Sequence, residues 1–231
     1  MKKFKQIALI GVASVALLAF TLPAGDNPFE GVITFNMSFG STDNSAAQAS
    51  SVTQGSSTKV YIKGDKSRTE VINTMMHQII ISDKKTKEEI TLITTASGDK
   101  YEIKPDPTKA KTADDKPEIK YIDSTKTIAG YKCKAAVVTS TNRNGDKNSF
   151  TVFYTDELPY SEDMGKFKGL KGCPMQFGMK QMGMTITFSA QTVEKKSLSD
   201  TLFVVPAKGY KVVASREEMM KDMQQNMSGG Q

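Results

Sequence analysis

Short segments of alternating apolar and polar residues, separated by turn residues, make up most of this 231-residue chain. Phe29, Ile33, Phe35, Met37 and Phe39 share one parity, which is the two-residue period of a strand with one buried face. Turn signals recur at spacings of roughly 8–12 residues, with no long helical pattern between them. The sequence therefore predicts a mainly β fold built as a curved antiparallel meander.

One predicted hairpin spans residues 59–73. Gly64-Asp65 suits the positive φ angles of a two-residue hairpin turn. A turn there places Lys59 opposite Glu70, so opposite charges meet. The same register puts four residues on one face: Val60, Ile62, Thr69 and Val71.

A second predicted hairpin turns at Asn144-Gly145, the strongest short signal of this kind. Its two-residue turn sets Val137 opposite Val152, Thr139 opposite Phe150 and Ala135 opposite Tyr154. Cys133 shares the parity of Ala135 and Val137, which points its sulfur toward the core.

Three segments depart from this strand pattern. Residues 40–57 are rich in Ser, Thr, Ala and Gln, which predicts a mobile loop, and the prolines and charges of 104–118 predict an exposed linker. Ser215-x-x-Glu218 is a capping box that predicts a helix. Four methionines follow at helical spacing: Met219, Met220, Met223 and Met227. We expect residues 214–231 to form an amphipathic helix and tail that packs on the apolar, concave face of the sheet or closes over it.

The first 25 residues have the features of a signal peptide. Lys2, Lys3 and Lys5 precede an apolar run over 7–20, and Ala24-Gly25 follows. The run is shorter than the ~20 apolar residues that span a bilayer. The sequence thus predicts an exported protein, in the periplasm or outside the cell, without a stable transmembrane anchor.

The charges and reactive residues indicate no catalytic function. Three of the 31 Lys and Arg residues lie in the predicted signal peptide, which leaves 28 against 25 acidic residues, and they form no basic stripe of the kind that binds nucleic acid. His77 is the single histidine, so no histidine-based zinc site forms. No Gly-rich phosphate loop is present. We predict a non-enzyme with no catalytic residues, no metal and no cofactor.

The two cysteines, Cys133 and Cys173, form an isolated pair. In an oxidising compartment such a pair is most simply a disulfide bond, and a redox couple is the alternative. The sequence predicts the disulfide.

Methionine is concentrated in a short stretch after Cys173-Pro174 and in the predicted helix. Met175, Met179, Met182 and Met184 follow one another there. Thioethers bind Cu(I), which makes a soft-metal site one interpretation. The other is that flexible methionines line an adaptable apolar surface, and this is the interpretation that we favour.

Five segments serve as family landmarks: Phe29-Glu30-Gly31, Tyr61–Arg68, Ile128–Lys134, Tyr154–Pro159 and Leu202–Tyr210. In this order they resemble a domain-of-unknown-function family of exported bacterial proteins, related to the Lol-type periplasmic lipoprotein carriers and their outer-membrane receptors. The resemblance covers roughly residues 29–213. It implies a half-barrel domain over 26–213, an incomplete antiparallel β-barrel with helices over its concave face, where the carriers hold lipoprotein acyl chains. The family has no assigned activity.

The resulting prediction is a cell-envelope protein that holds an apolar ligand, such as an acyl chain, a lipid or a lipidated protein, on its concave face. The oligomeric state stays open. An interaction module with a filled core is the main alternative, and a Cu(I)-binding protein is a further one. The candidate cavity wall consists of Phe35, Met37, Val60, Ile62, Met184, Ile186, Phe188, Met219 and Met223.

Overall fold

A computed structural model describes residues 29–40, 56–104, 117–141, 147–159, 167–181 and 184–228. The predicted signal peptide, most of the predicted loop and linker, and the Asn144-Gly145 turn lie outside these residues. The described chain contains twelve strands, one short 3-10 helix and one α-helix. This content confirms the predicted mainly β class.

Six strands precede the linker and six follow it. The first six are β1 (Glu30–Gly40), β2 (Ser57–Lys63), β3 (Lys66–Ile72), β4 (Met76–Asp83), β5 (Glu88–Thr95) and β6 (Lys100–Ile103). The others are β7 (Glu118–Ile128), β8 (Tyr131–Thr141), β9 (Lys147–Thr155), β10 (Cys173–Gln181), β11 (Met184–Lys195) and β12 (Lys211–Val213). The 3-10 helix is Asp200–Phe203, and the α-helix, α1, is Arg216–Ser228.

All twelve strands belong to one sheet, in the order β12-β6-β5-β4-β3-β2-β1-β11-β10-β9-β8-β7. Neighbours are antiparallel, except that the short β12 runs parallel to β6. The pairing of β1 with β11 joins the two meanders along ten residue pairs. In the described chain β12 and β7 are the two edges, so the sheet stays open and the predicted incomplete barrel is confirmed.

The sheet has two different faces. We call the face that carries Phe35 the inner face and the face that carries Val32 the outer face. The rings of Phe35 and Phe177 lie 6.1 Å apart, although β11 runs between their strands. Backbones two strands apart are separated by about 9–10 Å. The two rings are thus closer together than their backbones. The side chains converge on the inner face, which is therefore the concave face of the sheet.

The outer face is covered by residues 196–210, which we call the strap. The strap leaves β11, crosses the sheet and delivers the chain to β12 at the far edge. Its apolar residues pack in two clusters on the outer face. One cluster contains Val32, Tyr61, Leu198, Leu202 and Phe203, and the other contains Ile79, Ile81, Ile90, Leu92, Val205 and Tyr210.

Two basic side chains bind the strap to the sheet. Lys63 donates to the Leu198 carbonyl oxygen at 2.8 Å and pairs with Asp200 at 3.0 Å. Arg68 donates to the Leu202 carbonyl oxygen at 3.0 Å and forms an ion pair with Glu70 at 2.6 Å. These contacts use backbone carbonyls that the irregular strap would otherwise leave without partners.

Helix α1 lies on the inner face at the β6–β12 edge, as predicted. The Ser215 hydroxyl caps the helix by accepting from the Glu218 amide at 3.1 Å, and the Glu218 carboxylate accepts in return from the Ala214 amide at 2.7 Å. Two helix methionines, Met219 and Met223, pack in a cluster with the sheet, whereas Met220 is exposed. The other members of this cluster are Met76, Ile93, Tyr101, Ile103 and Val213. Asp222 accepts hydrogen bonds from the Tyr101 hydroxyl and from Lys211, and the Lys211 contact holds the pKa of the Asp222 carboxyl below its usual value.

The first predicted hairpin register is confirmed, with Lys59 opposite Glu70 and Val60 opposite Thr69. The second is wrong by one residue. Ala136, not Val137, lies opposite Val152, because five residues separate Thr141 from its partner Lys147 where a two-residue turn was expected. A one-residue slip exchanges the faces of a strand.

The slip matters for β8 in particular. Ala136 and Val138 occupy the inner face, whereas Cys133 and Ala135 lie on the other side of the strand. All four are buried. The prediction that the Cys133 sulfur points toward the core is nevertheless confirmed, because Cys133 is fully buried in the main hydrophobic cluster.

The join between β1 and β11 depends on a glycine. A Cβ atom on Gly31 would clash with the Glu194 carbonyl oxygen and lie 2.9 Å from the Phe29 ring. By contrast, a Cβ on Gly178 of β10 would meet the Thr185 methyl group at 3.7 Å, an ordinary contact.

We expect Gly31→Ala to destabilise the protein by about 1–3 kcal/mol, since backbone must shift to accommodate the methyl group. Gly178→Ala is the matched control and should change stability by less than about 1 kcal/mol. Denaturant unfolding measures both. Equal midpoints for the two variants would contradict the close approach at Gly31.

Candidate functional site

Five phenylalanine rings form an aromatic cluster on the inner face around β9, β10 and β11. Phe177 is at its centre, with ring centroids of Phe167 at 4.9 Å, Phe188 at 5.1 Å and Phe35 at 6.1 Å. Phe150 contacts Phe167 edge-on at 5.9 Å. Edge-to-face and offset pairs of this kind add specific packing to burial.

The chain itself covers this cluster. The connection from β9 to β10 contributes three buried side chains, Leu158, Phe167 and Leu170, to the same hydrophobic cluster. Phe167 is among the largest fully buried residues of the protein. At this end the inner face is therefore a filled core.

Between the aromatic cluster and α1 lies a middle region of the inner face. Met37, Val71, Ile80 and Ile186 are half-buried there, and strand parity places them on the same face as Phe35, Thr69 and Phe188. None of the four belongs to any hydrophobic cluster of the described residues. We call these four residues the inner strip.

The predicted cavity wall is thus divided among three environments. Phe35, Val60 and Ile62 are buried in the main core, and Phe188 packs against it. Met37 and Ile186 belong to the inner strip, whereas Met219 and Met223 pack in the helix cluster. Met184 begins β11, but its side chain lies outside the described part of the chain.

Three residues that shape the inner face were not predicted from the sequence. Ile80 lies in the run Ile79-Ile80-Ile81, which has no alternation to reveal its face. If β4 had been paired with the correctly predicted β2–β3 hairpin, Ile80 would have been placed opposite Thr69. Phe177 and Phe167 lie in segments without a strand period, and no sequence signal identifies them.

The two cysteines are free and buried in the structure, which does not contain the predicted disulfide. Cys173 lies opposite Thr155 on β9, and Cys133 lies on β8, the strand beyond. Burial raises the pKa of both thiols, that of Cys173 to about 12.

The described residues contain no group of three or more His, Cys, Asp or Glu side chains that could hold a metal ion. His77 lies on the outer face of β4, opposite Ile72 and Thr94. Among the described helices, none is both long and apolar enough to cross a membrane.

These features define a class: an open, strapped half-barrel whose inner face is filled at one end and covered by a helix at the other. The chain belongs to the family described as a domain of unknown function, DUF4412, which matches residues 29–210. This confirms the family resemblance of the five sequence landmarks. No curated protein matches the sequence.

Among solved structures, the chain is similar to PNGF-II, with a TM-score of 0.50 and 20% identity over 84% of this chain. It spans 33% of the PNGF-II chain, so the similarity concerns one part of that protein and the fold alone. MucB matches at a TM-score of 0.39 and 12% identity, covering 77% of this chain and 58% of MucB.

A putative outer membrane lipoprotein-sorting protein domain from Vibrio parahaemolyticus also matches, at a TM-score of 0.33 and 10% identity. The match covers 76% of this chain and 89% of that domain.

The cysteines generate a direct test. Because the thiolate is the reactive form, buried thiols with raised pKa values should not react with an aromatic disulfide reagent at neutral pH in the folded protein. In denaturant without reductant, both thiols should react, and Cys133→Ser should reduce the count to one. If no thiol reacts until reductant is added, the isolated protein contains the disulfide that the sequence predicts.

Proposed function

We propose that this protein is an exported, non-catalytic carrier that binds an apolar chain along the inner strip, between the aromatic cluster and helix α1. The inner strip carries this proposal. Its four apolar residues are half-buried and lie outside every described cluster, whereas the apolar residues of the outer face pack under the strap.

The geometry suits a long, flexible ligand. The inner strip runs across β11, β1, β3 and β4 and follows the curvature of the sheet. Burial of apolar surface contributes about 25 cal/mol per Å², so an acyl chain along this strip would gain most of its affinity from contact area. Met37, an unbranched and polarisable side chain, adapts to chains of different shape.

The ligand class rests on the family landmarks. They resemble those of proteins related to Lol-type carriers, which hold lipoprotein acyl chains on the concave face of a half-barrel. An acyl chain, a lipid or a lipidated protein is therefore the ligand that we propose. The predicted signal peptide supports export to the periplasm or beyond, where such ligands are carried between membranes.

Helix α1 has a defined role in this proposal. It covers the inner face at the β6 edge, and Asp222 fixes it through Tyr101 and Lys211. In the described chain α1 packs against residues of β4, β5, β6 and β12, and its Arg216 donates to Gln78, the cross-strand neighbour of Val71. The helix therefore borders the inner strip, which is the binding surface in this proposal.

Replacing Ile80 tests the proposal. Ile80→Asn puts an amide into the inner strip and should weaken palmitate binding about tenfold, as measured by isothermal titration calorimetry on delipidated protein. Ile72→Asn is the matched control, because Ile72 lies on the outer side of neighbouring β3 and is 38% exposed. That variant should bind palmitate like the wild type.

Two results would contradict the proposal. If Ile80→Asn binds palmitate normally but melts at a lower temperature, Ile80 is part of a filled core, as in an interaction module. If the delipidated wild type binds no palmitate and no other acyl lipid, the inner strip is not a binding surface.

A further inference from the structure

We propose that Thr69 and Ser82 form a hydrogen-bonding site for the carbonyl group at the head of a bound acyl chain. The inference rests on the proposed function and extends it, because it assigns the polar end of the ligand to two named hydroxyl groups. It also sets the direction in which the acyl chain of the ligand lies on the sheet.

The two hydroxyls lie on the inner face, on adjacent strands. Thr69 of β3 is opposite Ile80 of β4 and Val60 of β2. Ser82 of β4 is opposite Ser67 of β3, one step further along the same face. Diagonal neighbours of this kind have Cα atoms about 7–8 Å apart, so a single small group between the side chains can contact both hydroxyls.

Their burial without partners is the unusual observation. Thr69 is 7% exposed and Ser82 is 9% exposed, and neither hydroxyl oxygen has a hydrogen-bond partner among the residues that the structure describes. Buried polar groups nearly always have a partner, because an unpaired one is costly. A hydroxyl pair of this kind on a binding face therefore points to a ligand group.

Other buried hydroxyls of the protein show the ordinary behaviour. Thr58, also on the inner face, donates to the Met37 sulfur at 3.9 Å, and Thr155 accepts from the Glu157 amide at 3.3 Å. Both are as buried as Thr69 or more so. The difference between Thr58 and Thr69 thus lies in hydrogen bonding and not in depth.

An uncharged carbonyl fits this position. Each hydroxyl can donate one hydrogen bond, and a carbonyl oxygen accepts two. Val60 and Ile62 are buried beside the site, Ile80 lies in the inner strip next to it, and Glu89 of β5 is the cross-strand neighbour of Ser82 on the other side. A carboxylate would carry a large desolvation cost in such surroundings, whereas an ester or amide carbonyl carries a small one. The acyl chain of the ligand then extends from the carbonyl group over the inner strip.

The test compares two lipids that differ at the carbonyl. Palmitoyl lysophosphatidylcholine has an acyl ester, and its hexadecyl ether analogue lacks the carbonyl oxygen. With the delipidated full-length protein, calorimetry should show that the ester binds about three- to tenfold more tightly than the ether. An N-palmitoyl glycine amide provides an amide carbonyl for comparison with the ester.

The variants are Thr69→Val and Ser82→Ala, with Thr58→Val as the control of the same chemistry on the same face. Thr69→Val and Ser82→Ala should each remove most of the ester preference and leave ether binding unchanged. Neither should lower the melting temperature, because no protein hydrogen bond is lost. If the ester loses more affinity than the amide in these variants, the natural ligand is a lipid. If the amide loses more, the natural ligand is an acylated peptide.

Three outcomes overturn the inference. Equal binding of ester and ether by the wild type would show that no carbonyl is recognised. If the preference for the ester survives in both variants, or if Thr58→Val also removes it, the carbonyl group is recognised at another place in the protein. If neither lipid nor palmitate binds, the proposed function itself fails, a result distinct from the first two.

Discussion

The pairing of β1 with β11 is the constraint on which the rest of the structure depends. It joins residues near the two ends of the described chain and turns two meanders into one sheet. Gly31 allows the two backbones to approach closely, and an irregularity in the register at Thr34 and Phe35 bends the join. Because one sheet now spans twelve strands, it curves, and the side chains of distant strands converge on the inner face.

A sheet with two apolar faces needs other parts of the protein to cover both faces from water. In this protein the two faces are covered in different ways. The strap seals the outer face with two apolar clusters and with backbone hydrogen bonds to Lys63 and Arg68. The inner face is covered at its ends, by the aromatic cluster and by α1. The inner strip between them is the surface that we propose for an apolar chain, and the hydroxyls of Thr69 and Ser82 would fix the polar end of that chain.

Local signals predicted local structure well and distant contacts poorly. Gly64-Asp65 fixed the β2–β3 register, because a two-residue turn leaves one way to pair the strands. The β8–β9 register was wrong because five residues connect the strands where a two-residue turn was expected. Ala135 and Ala136 are buried on both faces, so the residue pattern could not correct it. The strap was not predicted, since its apolar residues follow no regular spacing. The predicted hairpin placed Thr69 on the apolar face, but no sequence signal shows that its buried hydroxyl would lack a hydrogen-bond partner among the described residues.

The most direct test of the central claim is an isotope-edited nuclear Overhauser spectrum of methyl-labelled protein with unlabelled palmitoyl lysophosphatidylcholine. We predict contacts from the acyl chain to the methyl groups of Val60, Val71 and Ile80 on the inner face. We predict no contacts to Val204 or Val212, which are exposed outside this face. Contacts confined to Val204 and Val212, or a bound lipid without contacts to the inner face, would contradict this prediction.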